Sequence, residues 1–432
     1  MAALLPLLAS GCATWSAPGA PLRDVDPARG YRLSSAVHPH AGDELLVAAS
    51  FSGGGMRAAA LAHGVLRELA ATSLPDGRTL LDELDVISGV SGGAVVAASF
   101  ALDRERHLRD FESRFLRRNV TRDMFRALLN PVTLVRLMSR RFARGDLYGE
   151  VLDRWLFRGA TFDALAQRPR APFVMLNATD LGVGARVEFT QDMFDAICVD
   201  LSSYPLARAV AASAAAPPAV TPLALRNHAG RCGYHLPADA TPAGTPGEAL
   251  DLRRELRTRE LRAWQQATRY PWLQLADGSI VDDLGVRALT DAMLAFEAET
   301  TQDARPIILI TVDAAADTGP HLARRRRAPG ELETARRAAQ VTLERNSTES
   351  QLLVRRLLDG LAQRRGESGR RTYLVEVDPR RMADAAEREA VMAAPTTLGL
   401  PPALADRIVD AGAQLLREAG EFHRLQSDLA PR

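Results

Sequence analysis

The chain of 432 residues contains no lysine: all 54 basic positions are arginine, set against 53 acidic residues for a net charge of +1. A balance so close to zero lacks the basic stripe or tail with which proteins hold nucleic-acid phosphates, and no nucleic-acid partner is expected. Cysteine is scarce, three residues without Cys-x-x-Cys spacing, and the eight histidines are scattered, so no metal set is expected. No apolar run approaches the ~18 residues that cross a bilayer as a helix. Neither a Walker loop nor a Rossmann fingerprint is present, and no cofactor is implied. What remains, 47% hydrophobic and 25% charged, is the composition of a globular protein with a large core.

Against these absences stand two glycine-rich turns between Glu44 and Phe100. The short apolar run Leu45 to Ala49 predicts a buried strand that delivers the chain into Gly53, Gly54 and Gly55. Three glycines let the backbone turn tightly and bring bare N–H groups up to a ligand. Met56 to Ala70 then has helical spacing, so those groups sit at a helix N-terminus, which favours negative charge. A second strand, Asp85 to Ser88, runs into Gly89-Val90-Ser91-Gly92-Gly93 and a small-residue helix from Ala94. That is the G-x-S-x-G nucleophile elbow, in which a strained turn exposes the serine hydroxyl and small flanking residues avoid clashes.

Farther on, Leu273 to Ala276 leads into Asp277-Gly278-Ser279, and Ala212 to Ala216 is a small-residue stretch before Pro217. In motifs, order and spacing the chain resembles the patatin-like phospholipases, in particular their bacterial lipoprotein-like branch, over roughly residues 44 to 289. Ser52, Ala58 and Ser279 depart from the residues commonest in that family. The resemblance implies a three-layer α/β/α fold with a mostly parallel central sheet. It also implies a lipid acyl hydrolase with Ser91 as nucleophile, Asp277 as base, and Gly53, Gly54, Gly55 and Arg57 at the oxyanion hole. Gly89 and Gly93 shape the elbow, the substrate is a phospholipid or other lipid ester, and the working place is a membrane surface.

Two other readings stay open. In an α/β-hydrolase triad a histidine follows the acid in the chain, which leaves His321 and His423. A non-catalytic envelope lipoprotein that binds lipid or a partner is the other. The N-terminus, MAALLPLLASGCATW, reads as a lipoprotein-type signal over residues 1–12 with Cys12 acylated, and 13–43, rich in Pro, Gly, Ser and Ala, as a linker. Residues 44–432 form the catalytic domain, with 232–270 as a surface insertion, and the place of action is the bacterial cell envelope. In an exported protein Cys198 and Cys232 become candidates for a disulfide, with two buried thiols as the alternative. Asp123 to Phe142 carries an apolar stripe beside arginines, split by Pro131 into two short helices. Its side chains are expected to pack on the core, with a lid or lipid-facing patch as the alternative.

Overall fold

Phe173–Asp180 and Ile307–Val312 bury every one of their side chains, which requires strands covered on both faces. They belong to an eight-stranded sheet in the computed structural model, which describes residues 19–35, 45–139, 142–168, 170–217, 219–236, 249–295, 305–317, 320–324, 326–366 and 371–430. Numbered along the chain, the strands are β1 Leu46–Phe51, β2 Leu84–Val90, β3 Phe173–Asp180, β4 Ala185–Glu188, β5 Leu223–Arg226, β6 Trp272–Asp277, β7 Ile307–Val312 and β8 Thr372–Val377. Their spatial order is β8-β7-β1-β2-β3-β6-β5, with β4 paired to β3. From β8 to β3 the neighbours are parallel, while β4 and β6 run antiparallel to β3, and β5 to β6. Helices flank this sheet, giving the α/β/α architecture with a mostly parallel sheet that the motifs implied.

Parallel neighbours need crossovers, and the two glycine turns supply them. Helix α1, Gly55–Ala71, joins β1 to β2, and α2, Gly92–Leu102, starts the return from β2 to β3. Proline does split the next amphipathic stretch, into α3, Val120–Leu128, and α4, Pro131–Met138. The expected core packing holds for Met124 and Phe142, which are buried, and for Leu128 and Leu137, which are partly buried against the core, whereas Phe125, Leu129, Val132, Leu134, Val135 and Met138 are 49–86% exposed. One face of α3, carrying Val120 and Met124 one turn apart, is enough to seat the hairpin, and the other apolar face looks outward.

Helix α5, Leu206–Ser213, precedes β5, and α6, Pro402–Glu418, closes the fold from the far end of the chain. It lies directly on α1: a Cβ on Gly64 would fall 2.0 Å from the Val409 carbonyl oxygen, and one on Gly412 would fall 2.3 Å from that of Leu61. Only glycine permits such backbone contact.

Two segments differ from expectation. The described part of the linker, 19–35, is fastened to the domain: Tyr31 stacks on Phe173 and its hydroxyl accepts from Val174 N–H at 2.7 Å. Arg32 pairs with Asp192 and Asp195. The stretch 232–270 is not merely superficial, because Ala249–Trp264 is a helix whose fully buried Trp264 donates to Asp180 at 2.9 Å. Its Arg257 pairs with Glu188. Cys198 and Cys232 are joined as a disulfide with Cα atoms 5.5 Å apart. Cys12 and the signal-like segment lie outside the described residues. Among those described, no helix is long and apolar enough to cross a membrane.

Candidate active site

Between β2 and α2, Ser91 takes φ 52° and ψ −115°, a region that non-glycine residues enter only when the surroundings hold them there. The holding group is Ser213 at the end of α5. Its hydroxyl accepts from the Ser91 N–H at 2.9 Å and donates to the Asn177 carbonyl at 2.6 Å. The elbow glycines are required by contact: a Cβ on Gly93 would sit 2.3 Å from the Phe51 carbonyl oxygen, and one on Gly89 would sit 2.8 Å from Ala94 Cα. Gly92 is tighter still, 1.9 Å from the Gly55 carbonyl oxygen by the same construction, so elbow and glycine turn touch through backbone.

The glycine turn leaves β1 with Gly54 at φ 134° and Gly55 at φ 63°, both in the left-handed half of conformational space. Here the structure corrects two sequence assignments. The Gly53 N–H donates to the Asp283 carbonyl at 2.9 Å and is not free for a ligand, which leaves Gly54 and Gly55 as the turn's available amides among the described residues. The Arg57 guanidinium is taken up by backbone carbonyls. It donates to the Ala314 carbonyl at 2.9 and 3.1 Å and to that of Ala394, clamping the turn to two distant loops. Burial lowers its pKa to about 10, against the attraction of Asp283 and Asp313. The Met56 N–H is likewise engaged, by the Thr397 carbonyl at 2.9 Å.

Asp277 ends β6, its carboxyl buried, with one oxygen accepting from Ser279 N–H at 2.9 Å. Burial raises its pKa above the ordinary aspartate range, opposed by hydrogen bonds from the backbone and hydroxyl of Ser279 and from the Ser91 hydroxyl. The structure thus places Ser91 within electrostatic reach of the Asp277 carboxyl. What joins them is the small-residue stretch whose role the sequence did not disclose. Ser213 holds Ser91 by its hydroxyl and Gly278 N–H by its carbonyl at 3.1 Å, and the Ala215 carbonyl accepts from Asp277 N–H at 3.1 Å. Next to this pair lies Asp283, whose carboxyl is raised to about 6 by burial and by the Asp277 charge, against hydrogen bonds from Ser279 and Ser347. Asp282, as expected of a capping residue, accepts from Arg287 N–H at 2.9 Å.

Among the described residues no histidine hydrogen-bonds to Ser91 or Asp277. His423 is exposed on Gly420–Leu429, and His321 belongs to the short helix Pro320–Ala323. His63 and His107 are buried against each other, with Nδ1 and Nε2 3.1 Å apart. No group of His, Cys, Asp and Glu among the described residues is arranged to hold a metal ion.

A serine on a strained strand-to-helix turn and a buried carboxylate near it, at the ends of strands of an α/β sheet, make up the candidate site. The sequence model of the patatin-like phospholipases matches residues 49–290, more than half of the chain, and the protein belongs to that family. None of the curated proteins matches it. Among solved structures it is similar to human GIVD cytosolic phospholipase A2, at 12% identity over 90% of this chain and 63% of that one, with a TM-score of 0.45. The same human enzyme in complex with methyl gamma-linolenyl fluorophosphonate gives 12% identity, 90% and 60% coverage and a TM-score of 0.44. VipD from Legionella pneumophila gives 12%, 95%, 72% and 0.32. The chain therefore spans less than two thirds of the human enzyme's length.

Proposed function

We propose that this protein is a lipid acyl hydrolase that cleaves phospholipid or lysophospholipid esters with a two-residue machinery, Ser91 as nucleophile and Asp277 as its base. One observation carries the reading: Ser91 stands on a turn held at φ 52°, within electrostatic reach of the buried Asp277 carboxyl, whose pKa is raised by burial. A carboxylate in water is too weak a base to activate a serine. Burial strengthens it, and with the carboxyl this close to the serine no imidazole is needed between them. As Ser91 Oγ attacks the ester carbonyl, its proton passes to Asp277 and the carbonyl oxygen becomes an oxyanion facing the Gly54 and Gly55 amides. Collapse of the tetrahedral intermediate breaks the bond to the alcohol, which leaves with the proton from Asp277. Water, deprotonated by the same carboxylate, then releases the fatty acid and restores Ser91. Each fixed amide donor of this kind is worth about 3 kcal/mol in the transition state.

The test is kinetic. Ser91→Ala and Asp277→Asn should each abolish hydrolysis of phospholipid and of short-chain esters while leaving thermal unfolding unchanged, and His321→Ala and His423→Ala should stay active. A histidine substitution as damaging as Ser91→Ala would replace the dyad with a triad. Folded wild-type protein without Ser91-dependent turnover on any ester would leave a lipid-binding role.

A further inference from the structure

The outward face of the α3–α4 hairpin is the largest feature that the chemistry of Ser91 does not use. Six large apolar side chains, Phe125, Leu129, Val132, Leu134, Val135 and Met138, stand exposed on two consecutive short helices, with Met138 at 86%. A patch of that kind on a water-soluble surface is costly unless something covers it. Its charge says what. Residues 117–138 hold five arginines and a single acid, Asp123; Arg117 pairs with Glu112 and Asp406, Arg136 with Glu150, and Arg118 lies over Trp155, so Arg122 and Arg126 are the arginines set beside the patch. Arg122 and Arg126 are exposed on α3 beside Phe125, and Arg126 is held by nothing stronger than a 3.5 Å contact with Asp123. Apolar side chains flanked by arginines are the composition of an interfacial segment, whose apolar face enters the acyl boundary while guanidinium groups meet phosphates.

The hairpin is also wired to the site. Its first N–H, on Val120, donates to the Leu398 carbonyl at 3.1 Å, while the neighbouring Thr397 carbonyl accepts from Met56 at the head of α1. Residues 397 and 398 thus join the root of the hairpin to the glycine turn.

We propose that the α3–α4 hairpin is the surface by which this protein docks on an anionic phospholipid bilayer, with Phe125, Leu129, Val132, Val135 and Met138 in the acyl boundary and Arg122 and Arg126 at the phosphates. Docking needs no turnover, so it stands or falls separately from the dyad. The experiment is sedimentation of the full chain with vesicles of phosphatidylcholine alone and of phosphatidylcholine mixed in equal parts with phosphatidylglycerol. The wild type should bind the anionic vesicles more tightly than the neutral ones, and Ser91→Ala should bind as the wild type does. The double variants Val135→Asp/Met138→Asp and Arg122→Glu/Arg126→Glu should each lose at least about tenfold in affinity for the anionic vesicles. Their unchanged melting temperatures would exclude misfolding, since every replaced side chain faces solvent. Wild-type affinity in the Val135→Asp/Met138→Asp variant would overturn the proposal, as would a wild type that binds neither vesicle. So would a wild type that is dimeric in solution and is made monomeric by that variant, because a second copy would then be what covers the face.

Discussion

Ser213→Ala is the perturbation that best isolates the support of the site from its chemistry, because Ser213 holds the backbone of the nucleophile without sitting on the side-chain line from Ser91 to Asp277. The substitution removes one oxygen and keeps the volume of a fully buried position. It deletes the 2.9 Å bond from Ser91 N–H and the 2.6 Å bond to the Asn177 carbonyl. Stranding the buried N–H costs about 2 kcal/mol and weakening the carbonyl about 1, so unfolding free energy should fall by about 3 kcal/mol. The conformation of Ser91 at φ 52° stores about 1–3 kcal/mol that this bond helps to hold. Once released, the serine relaxes away from Asp277, and the same energy reappears in the barrier as a roughly ten- to hundredfold loss of kcat. Denaturant unfolding and turnover of a water-soluble short-chain ester give the two numbers. Ser88→Ala is the control, since Ser88 also bridges two buried groups, donating to the Gly285 carbonyl at 2.6 Å and accepting from Asn177 at 2.9 Å. It should lose comparable stability and much less turnover. If Ser213→Ala kept full kcat, or if Ser88→Ala lost as much, the idea that the elbow is held under strain by Ser213 would be refuted.

The pH dependence follows from burial. As the proposed base, Asp277 would act only when ionised, and its pKa is raised, so activity should be lost as pH falls through a limb that lies above the ordinary aspartate range; a kcat/KM profile on a soluble ester with its acid limb near pH 4 would contradict this. The bridge between Cys198 and Cys232 spans 34 residues, so Cys232→Ser, or reduction, should cost roughly 4 kcal/mol of unfolding free energy in the chain-entropy view, measured by denaturant titration with and without reductant.

The parts legible in the sequence were those whose chemistry is local. A strand running into glycines and then a helix is a backbone requirement written within a dozen neighbouring residues, and so the two turns and their order could be read directly. The failures share one cause, which is that partners come from far away. Arg57 looked free to face a ligand because the carbonyls it holds, Ala314 and Ala394, lie 257 and 337 residues on. Gly53 looked like an oxyanion donor because its acceptor, Asp283, is no neighbour in the chain. Ser213 was one small residue among alanines, with nothing in composition to single out its hydroxyl. Tyr31 and Arg32 sat in a stretch whose prolines and glycines spelled linker, and two side chains were enough to fasten it. Periodicity in α3 and α4 revealed an apolar stripe but carried no information about which way the stripe would face.

The position of β7 sets a limit on modularity. The segment that matches the family, 49–290, includes the serine and the aspartate, yet β7 begins at Ile307 and pairs with β1 along all six of its residues. A fragment stopped at residue 290 would present β1, the strand that delivers the glycine turn, as a bare parallel edge of six residues. Such an edge recruits other chains. It would also have lost the loops that grip Arg57 and the helix that lies on Gly64. Ser91 and Asp277 would both be encoded, but the fragment would tend to aggregate, so the family segment depends on the distal strands and the last helices to fold as a unit.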